Sequence, residues 1–194
     1  MEASKVFYKT VKFFLKPLFD FLFYVRIEGL ENLPKQNGYI VCGNHARAID
    51  PILIGVNLPQ KVHFMAKSEL FKNKVMGLVV SRLGAFPVKR GEADLKSIKT
   101  SLRLLQNKQN IGIFPEGTRN LSGELKAEPG IAMLAVRSKC PVVPVSIKTN
   151  YKLFRRTNII VGETIKMEEY FDAKLKNEDY IKISLEIMKI IREL

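Results

Sequence analysis

The sequence predicts an α/β fold in which a largely parallel central sheet is flanked by helices. From residue 39 onward, short apolar runs alternate with segments whose apolar residues recur every three or four positions. Alternation of this kind places helices between parallel strands. Several of the apolar runs also end abruptly in polar or charged residues. A chain of 194 residues that is 46% hydrophobic has enough apolar material for one full core.

The elements follow from these periodicities. Strands are predicted at 39–42, 62–66, 85–88, 111–114, 142–148 and 158–161. Helices are predicted at 51–56, 70–82, 93–106, 131–139 and 179–192. The third of these helices is typical, because Leu95, Ile98, Leu102 and Leu105 repeat at helical spacing. The turn-rich stretch "GLENLPKQNG" (29–38) separates an N-terminal segment, 1–28, from a main domain, 29–194.

The N-terminal segment is predicted to form amphipathic helices that lie in a membrane interface. Its lysines share one side of the helical wheel and its Phe, Leu and Val residues the other, with Pro17 breaking or kinking the helix. The lysines are Lys5, Lys9, Lys12 and Lys16. Charges interrupt any run long enough to span a bilayer, and no small-residue cleavage site follows. The alternative is a helix packed on the protein's own core with its lysines in water.

Charge and cysteine usage narrow the function classes. A net charge of +13 favours a polyanionic partner: nucleic acid, an anionic membrane or a phosphorylated substrate. The two cysteines, Cys42 and Cys140, lie far apart among apolar residues and are expected to be reduced and mostly buried. The sequence contains no CxxC or HExxH spacing, so we expect no metal site.

The stretch "NHARAID" (44–50) directly follows an apolar strand. His45 is suited to accept a proton near neutral pH, and Asp50 can orient it through the second ring nitrogen. Asp50 followed by Pro51 also fits a helix N-cap, which would leave His45 an ordinary loop histidine. Both interpretations stay open from spacing alone. His63, inside a predicted strand, is expected to be structural.

Two further strands end in residues that suit a phosphate. "FPEGTR" offers Gly117 for close backbone approach, the Thr118 hydroxyl and the planar Arg119 guanidinium. "VKRG" offers Lys89 and Arg90. Each stretch can instead be an exposed turn with solvated charges. Neither a GxxxxGK[ST] loop nor a GxSxG elbow is present, which argues against nucleotide phosphoryl transfer and against a serine nucleophile.

Four short sequence blocks along the chain resemble the motifs of a known family: "NHARAID", "GAFPVKRG", "FPEGTR" and "PVVPVSI". In this order and spacing they resemble the 1-acylglycerol-3-phosphate acyltransferase family, whose first block is NHx4D, over roughly residues 25 to 165. The resemblance implies a glycerol-3-phosphate acyltransferase-like fold, with His45 as catalytic base and Asp50 as its partner. Further implied roles are substrate binding by Asn44, Lys89, Arg90, Glu116, Gly117, Thr118 and Arg119, and an acyl-donor side shaped by Pro144.

The expected activity is acyl transfer from a thioester of coenzyme A or acyl carrier protein to the sn-2 hydroxyl of lysophosphatidate, giving phosphatidate. No cofactor and no nucleic acid partner are expected. Contact with anionic lipids is expected, on the cytoplasmic face of the inner or plasma membrane and without spanning it. Two rivals remain at this stage. One is an acyltransferase of the same family with another lysophospholipid or hydroxyl lipid as acceptor. The other is a non-enzymatic basic module that binds membranes or nucleic acid.

Overall fold

The computed structural model describes residues 2–89 and 94–194. Within them the chain runs through α1 (Glu2–Phe23), β1 (Val25–Glu28), β2 (Ile40–Gly43), α2 (Asp50–Asn57), β3 (Val62–Lys67), α3 (Lys74–Leu83), β4 (Phe86–Val88), α4 (Leu95–Gln106), β5 (Asn110–Ile113), α5 (Gly130–Ser138), β6 (Val142–Lys148), β7 (Thr157–Val161) and α6 (Asn177–Glu193). Short 3-10 turns at Leu30–Asn32, Ser68–Phe71 and Glu168–Tyr170 complete the pattern.

The described strands form one seven-stranded sheet in the order β1-β7-β6-β2-β5-β3-β4. From β6 to β4 all neighbouring pairs are parallel. β7 runs antiparallel to β6, and β1 runs parallel to β7. The predicted α/β class with a largely parallel sheet is therefore confirmed. Because β6, β2, β5 and β3 are parallel neighbours, their carboxyl ends lie at one edge of the sheet.

Each face of the sheet is covered by a separate apolar layer. Alternate residues of β2 show the division, since Ile40 and Cys42 pack in the layer with α5 and α6, and Val41 packs in the layer with α2. Buried residues of α5 and α6, such as Ile131 and Ile187, complete the first layer. The two layers leave the loops beyond the carboxyl ends of the strands free to form a cleft.

Most predicted boundaries shift by one to three residues, but two differences have physical causes. The predicted helix 70–82 begins only at Lys74, because the side chain of Asn73 accepts hydrogen bonds from Val75 N and Met76 N and caps the helix there. The end of the predicted helical segment 1–28 is also wrong. Val25–Glu28 is strand β1 of the central sheet, held by its pairing with β7.

Helix α1 is continuous through Pro17, so the predicted break does not occur. Two lysines of the predicted stripe form hydrogen bonds within the protein, although 44% of the Lys16 side chain stays exposed. Lys12 donates to the backbone oxygens of Leu58 and Pro59, just beyond the end of α2, and Lys16 donates to Asn57 Oδ1 (3.1 Å) and to Asp20 (2.6 Å). The carbonyls that follow a helix C-terminus attract cations, which explains the contact of Lys12. Lys16 is held by a carboxylate and a side-chain amide oxygen.

The aromatic face of α1 points away from the protein. We call Phe13, Phe14, Leu18 and Phe21 the outer face of α1; Phe13 is 73% exposed and Phe14 is 66% exposed. The opposite side of α1 covers the core, where Phe23 is buried and Phe19 and Leu22 pack against the layer with α2. None of the described helices is long and apolar enough to cross a membrane.

Candidate active site

Three loops meet at the carboxyl edge of the sheet. They follow β2, β5 and β6, and β2 lies between the other two strands. Asn44 ties two of the strand ends together, because its amide donates to Ile147 O (3.0 Å) and accepts from Ile147 N (2.7 Å). Asn44 was predicted to bind substrate. Its amide fixes the start of the "NHARAID" loop against the end of β6, and the residue also lines the cavity beside His45, so the substrate role stays a prediction.

His45 and Asp50 form a buried pair. His45 Nδ1 lies 2.9 Å from Asp50 Oδ2, and the Asp50 carboxylate is fully buried. An ionised carboxylate only accepts hydrogen bonds, so the proton between them sits on Nδ1 and leaves Nε2 as the acceptor nitrogen of the neutral ring. This is the arrangement that a histidine base requires.

The geometry rejects the capping alternative for Asp50. Asp50 is itself the first residue of α2, and the residue at the cap position, Ile49, makes no side-chain capping bond. Asp50 Oδ2 reaches back to the preceding loop, where it accepts from Ala46 N and Arg47 N at 2.8 Å each, besides His45. The carboxylate therefore holds the loop and the imidazole together in one fixed arrangement.

The loop after β5 holds the backbone of His45 from both sides. His45 N donates to Glu116 Oε2 (2.7 Å), and Asn120 N donates to His45 O (2.7 Å). The imidazole stacks on the ring of Phe114, with a centroid distance of 4.2 Å and an interplanar angle of 20°. The ring is thereby fixed by stacking, by its main chain and by Asp50.

Glu116 was predicted to contact the acceptor, but protein donors occupy both of its carboxylate oxygens. Oε2 accepts from His45 N and Oε1 accepts from Asn120 Nδ2 at 2.9 Å. The residue is 6% exposed and lines the cleft beside His45. We therefore describe Glu116 as a brace between two loops.

The next three residues of "FPEGTR", which are predicted to bind substrate, are exposed to solvent. Gly117 has φ 68°, a left-handed conformation that glycine adopts without strain, and a Cβ there would lie 3.0 Å from Glu128 Cγ. Thr118 and Arg119 follow directly and are open to solvent. Among the described residues, no carboxylate forms an ion pair with Arg119.

The predicted contribution of "VKRG" is distant from His45. Lys89 follows β4, the edge strand, which lies three strand positions from β2. At about 4.8 Å per strand the separation is roughly 14 Å. Lys89 is exposed, and its backbone N–H donates to Asp94 Oδ2 (2.8 Å) at the start of α4. Lys89 therefore lies at the rim of this edge. Arg90 lies outside the described residues.

Pro144 is not at the cleft. It is buried in the middle of β6, paired in register with Cys42. A Cβ built on Gly162 would lie 3.0 Å from the Pro144 ring, and the Leu194 side chain packs at the same place. The prediction that Pro144 faces the acyl donor is corrected here, because a strand residue packed under α6 is a core residue.

A cavity of about 330 Å³ opens beside His45. It is lined by Asn44, His45, Ala46, Glu116, Asn120, Gly123, Met188 and Arg192. Asn120, Met188 and Arg192 escaped prediction. Asn120 directly follows "FPEGTR" and could have been predicted from its position in the loop after a strand. Met188 and Arg192 lie on α6, where the sequence contains no motif that indicates a site. Arg192 donates to Gly123 O (2.6 Å) and brings a cation to the cavity wall.

The described residues that line the cavity include no cysteine. Burial, with the nearby charge of Glu116, raises the pKa of the Cys42 thiol well above its ordinary value of 9.0, so the thiol stays protonated. Across residues 2–89 and 94–194, no three His, Cys, Asp or Glu side chains converge in a way that could hold a metal ion.

Comparison with known proteins identifies the family of the chain. A family model described as Acyltransferase matches residues 24–148. This chain belongs to that acyltransferase family. It is 35% identical over 152 residues to the 1-acyl-sn-glycerol-3-phosphate acyltransferase of Bacillus subtilis (strain 168), covering 75% of this chain and 76% of that protein. It is 28% identical over 186 residues to the protein of the same name from Borreliella burgdorferi, covering 84% and 72%.

A solved structure shares the fold. The crystal structure of the 1-acyl-sn-glycerophosphate (LPA) acyltransferase PlsC from Thermotoga maritima matches with a TM-score of 0.75 and 24% sequence identity, covering 100% of this chain and 83% of that chain. The family match runs from the residue before β1 to the end of β6. It therefore includes His45, Asp50 and Glu116–Asn120, and it excludes the residues that α6 brings to the cavity.

Proposed function

We propose that this acyltransferase transfers a fatty acyl group from a thioester to the sn-2 hydroxyl of 1-acyl-glycerol-3-phosphate, giving phosphatidate. The observation that carries the proposal is the buried pair of His45 Nδ1 and Asp50 Oδ2 at 2.9 Å, at the edge of the sheet where ligands bind. Support for this acceptor comes from the names of the relatives from Bacillus subtilis and Borreliella burgdorferi.

His45 acts as general base. With Nδ1–H held by Asp50, Nε2 takes the proton of the acceptor hydroxyl while the hydroxyl oxygen attacks the thioester carbonyl carbon. The charge of Asp50 stabilises the imidazolium that forms. The tetrahedral intermediate then collapses, the carbon–sulfur bond breaks and the imidazolium returns the proton to the leaving thiolate. The products are an ester and a free thiol, and no cofactor takes part.

The acceptor phosphate is held by the exposed end of the "FPEGTR" loop. Arg119 offers a planar fork of donors that is free of carboxylate partners among the described residues, and Thr118 offers a hydroxyl. Because the same loop holds the backbone of His45, a phosphate on Arg119 is positioned relative to the base through one short segment. We assign Lys89 at most a long-range electrostatic contribution, given its distance from β2.

Access to lipid substrates comes through the outer face of α1, which we propose lies in the membrane interface. The loop after β6 continues this surface: Phe154 stacks edge-on against Phe21 at 5.7 Å, and Phe154 N donates to Leu22 O (2.6 Å). That loop begins at the same sheet edge as the cleft. An interface-bound enzyme can therefore take a lysolipid from the bilayer without waiting for the lipid to desorb.

Thiol release measured with lysophosphatidate and either acyl-coenzyme A or acyl carrier protein tests the proposal. Phosphatidate should appear in step with the thiol, and His45→Ala should stop both. The two donors are compared in parallel, since the acyl transfer chemistry is the same for each. Faster turnover with another lysophospholipid at equal concentration would reassign the acceptor. Salt-dependent binding of nucleic acid without thiol release would overturn the proposal.

A further inference from the structure

The Asp50 carboxylate is satisfied on one oxygen and unsatisfied on the other. Oδ2 accepts from His45 Nδ1, Ala46 N and Arg47 N. Oδ1 is buried and has no hydrogen-bond partner among the described residues. A buried carboxylate oxygen without a donor is costly, so this atom marks a place where a donor is missing.

Tyr151 lies in the loop after β6, at the sheet edge that carries the catalytic pair. The Arg47 guanidinium lies over its ring, 5.9 Å from the centroid, and Arg47 N is one of the donors to Asp50. Burial raises the pKa of the Tyr151 hydroxyl, and the negative charge of Asp50 is the second contribution. The hydroxyl is therefore a protonated donor near the acid.

Backbone conformation and local hydrogen bonds fix the position of Tyr151 in the loop after β6. Its φ is 58°, a left-handed conformation that few residues other than glycine adopt. Tyr151 N donates to Thr149 Oγ1 (3.1 Å), and that hydroxyl is in turn 2.8 Å from Thr157 Oγ1 at the start of β7. A non-glycine residue held in this region by its neighbours often marks a functional constraint.

We propose that Tyr151 is a positioning residue for the catalytic pair, whose hydroxyl donates to Asp50 Oδ1 in the working enzyme. This rests on the proposed function of His45 and Asp50. With Tyr151 on Oδ1 and the imidazole on Oδ2, the carboxylate cannot rotate, and the His45 ring keeps the orientation in which Nε2 meets the acceptor hydroxyl. The charged and titratable groups around Tyr151 and the pair are Arg47, Glu116, Asp50 and His45.

The proposal predicts the sign of a pH effect. A donor on Oδ1 draws negative charge away from Oδ2 and weakens the hold of Asp50 on the imidazolium. Removing that donor should strengthen the hold, so the imidazolium should persist to higher pH. The acid limb of the kcat/KM profile, which reports formation of the neutral base, should then move to higher pH.

Tyr151→Phe in the full-length enzyme is the test. We expect kcat to fall roughly tenfold, the scale of one hydrogen bond to a charged group. KM for lysophosphatidate should change by less than about twofold, because Tyr151 acts through Asp50 and not on the substrate. The acid limb should rise by on the order of half a pH unit. Tyr180→Phe is the matched control, since Tyr180 packs against the apolar layer around α6.

A second variant keeps the shape of the side chain. Enzyme carrying 3-fluorotyrosine at position 151 has a more acidic phenol and a stronger donor, so its acid limb should move to lower pH, opposite to Tyr151→Phe. The 3-fluorotyrosine enzyme also tests the role of the Tyr151 hydroxyl if Tyr151→Phe fails to fold. Unchanged acid limbs in the variants that fold, even with reduced rates, would overturn the proposal and leave Tyr151 a structural residue.

Titration of the His45 imidazole by NMR, in enzyme without substrate, tests the role of Tyr151 separately from the proposed acyl transfer. If the titration moves in opposite directions in the two proteins although no acyl transfer occurs, the coupling of Tyr151 to the pair holds and the proposed reaction fails. If turnover is normal but neither titration nor acid limb moves, the reaction holds and the role of Tyr151 is rejected.

Discussion

His45 N donates to Glu116 Oε2 at 2.7 Å, which joins the loop after β2 to the loop after β5 across 71 residues of sequence. The bond fixes the main chain of the base, while Asp50 fixes its ring. Position and orientation of the imidazole thus depend on two different carboxylates, and each can be tested separately.

Replacing Glu116 tests the first of these contacts. Glu116→Ala leaves His45 N without its acceptor and removes one of the two acceptors of Asn120 Nδ2, so kcat should fall roughly a hundredfold. Glu116→Gln keeps one acceptor oxygen and should retain more activity than Glu116→Ala. The measurement is steady-state thiol release, with the thermal midpoint as control for folding. Equal activity of the two variants and the wild type would contradict the assignment of Glu116 as a brace.

Replacing the pair itself tests the mechanism. His45→Ala should remove nearly all turnover, because His45 is the only imidazole among the described residues that line the cavity, and protein donors occupy both oxygens of the neighbouring Glu116 carboxylate. Asp50→Asn should lower kcat by orders of magnitude, since it removes the charge that supports the imidazolium. Both variants should keep a native circular dichroism spectrum. Retention of more than a small fraction of the wild-type rate by His45→Ala would show that the proton goes elsewhere.

Arg119 can be tested by comparing acceptors. Arg119→Ala should lower kcat/KM for lysophosphatidate roughly ten- to a hundredfold, the scale of a lost hydrogen bond to a charged group. A neutral acceptor such as monoacylglycerol should be much less affected. Arg103→Ala, on the exposed side of α4, is the matched control. An equal loss for both acceptors would make Arg119 a structural residue.

His63 predicts a pH dependence of stability. Burial, and then the neighbouring charge of Lys61, lowers the pKa of His63 below 6.5, although its bond to Gly84 O opposes the shift. As the pH falls below 6.5, the unfolded chain takes up the proton first, so the free energy of unfolding should decrease. Chemical denaturation between pH 7.5 and 5 measures this slope.

The chain has only two histidines, which gives this test its control. His63→Asn should flatten the slope between pH 7.5 and 5, whatever its effect on absolute stability. His45→Ala should keep the part of the slope that comes from His63. A slope that survives His63→Asn unchanged would assign the pH dependence to other groups.

The fold could be predicted from sequence wherever local pattern and tertiary structure agree. The strand 142–148 was predicted with its observed bounds, because seven residues that are mostly β-branched leave little choice. Strand β1 was missed since "VRIE" is a weak local signal, and its conformation comes from pairing with β7, over 130 residues away. Long-range pairing of this kind leaves no trace in a single window of sequence.

The site was predictable as a set of loops, but less so as a set of contacts. The rule that ligands bind beyond the carboxyl ends of parallel strands selected the loops of His45 and Glu116. It could not tell that the backbone of Ile147 bonds to both the oxygen and the nitrogen of the Asn44 amide, or that protein donors occupy the carboxylate of Glu116. The pattern Asp50–Pro51 fits both a cap and a partner for His45, and only the direction of the carboxylate decides between them.

The outer face of α1 leads to the last prediction. A helical wheel separates lysines from aromatics but does not say which side turns inward. In the structure Lys12 and Lys16 are engaged with α2, and Phe23 is buried in the core, so deleting the segment would damage the fold. Point substitutions on the outer face of α1 therefore test membrane binding better than a deletion does.

Phe13→Ser combined with Phe14→Ser should release the protein from anionic vesicles. Each phenylalanine inserted into the interface contributes about 2 kcal/mol of burial, so the pair should lower vesicle affinity by more than a hundredfold. Leu95→Ser is the matched control, because Leu95 is 66% exposed on α4, over the other face of the sheet. Flotation with vesicles measures binding, and Lys9→Gln should weaken it mildly, most at low salt.

The same variants connect binding to catalysis. Loss of the outer face should slow turnover of vesicle-borne lysophosphatidate but spare a short-chain, monomeric acceptor, since His45 and Arg119 remain in place. Lys12→Gln should lower the thermal midpoint, because its ammonium bonds to carbonyls beyond the end of α2. If the double phenylalanine variant still floated with vesicles, or lost both activities equally, the aromatic side of α1 would have a role other than membrane contact.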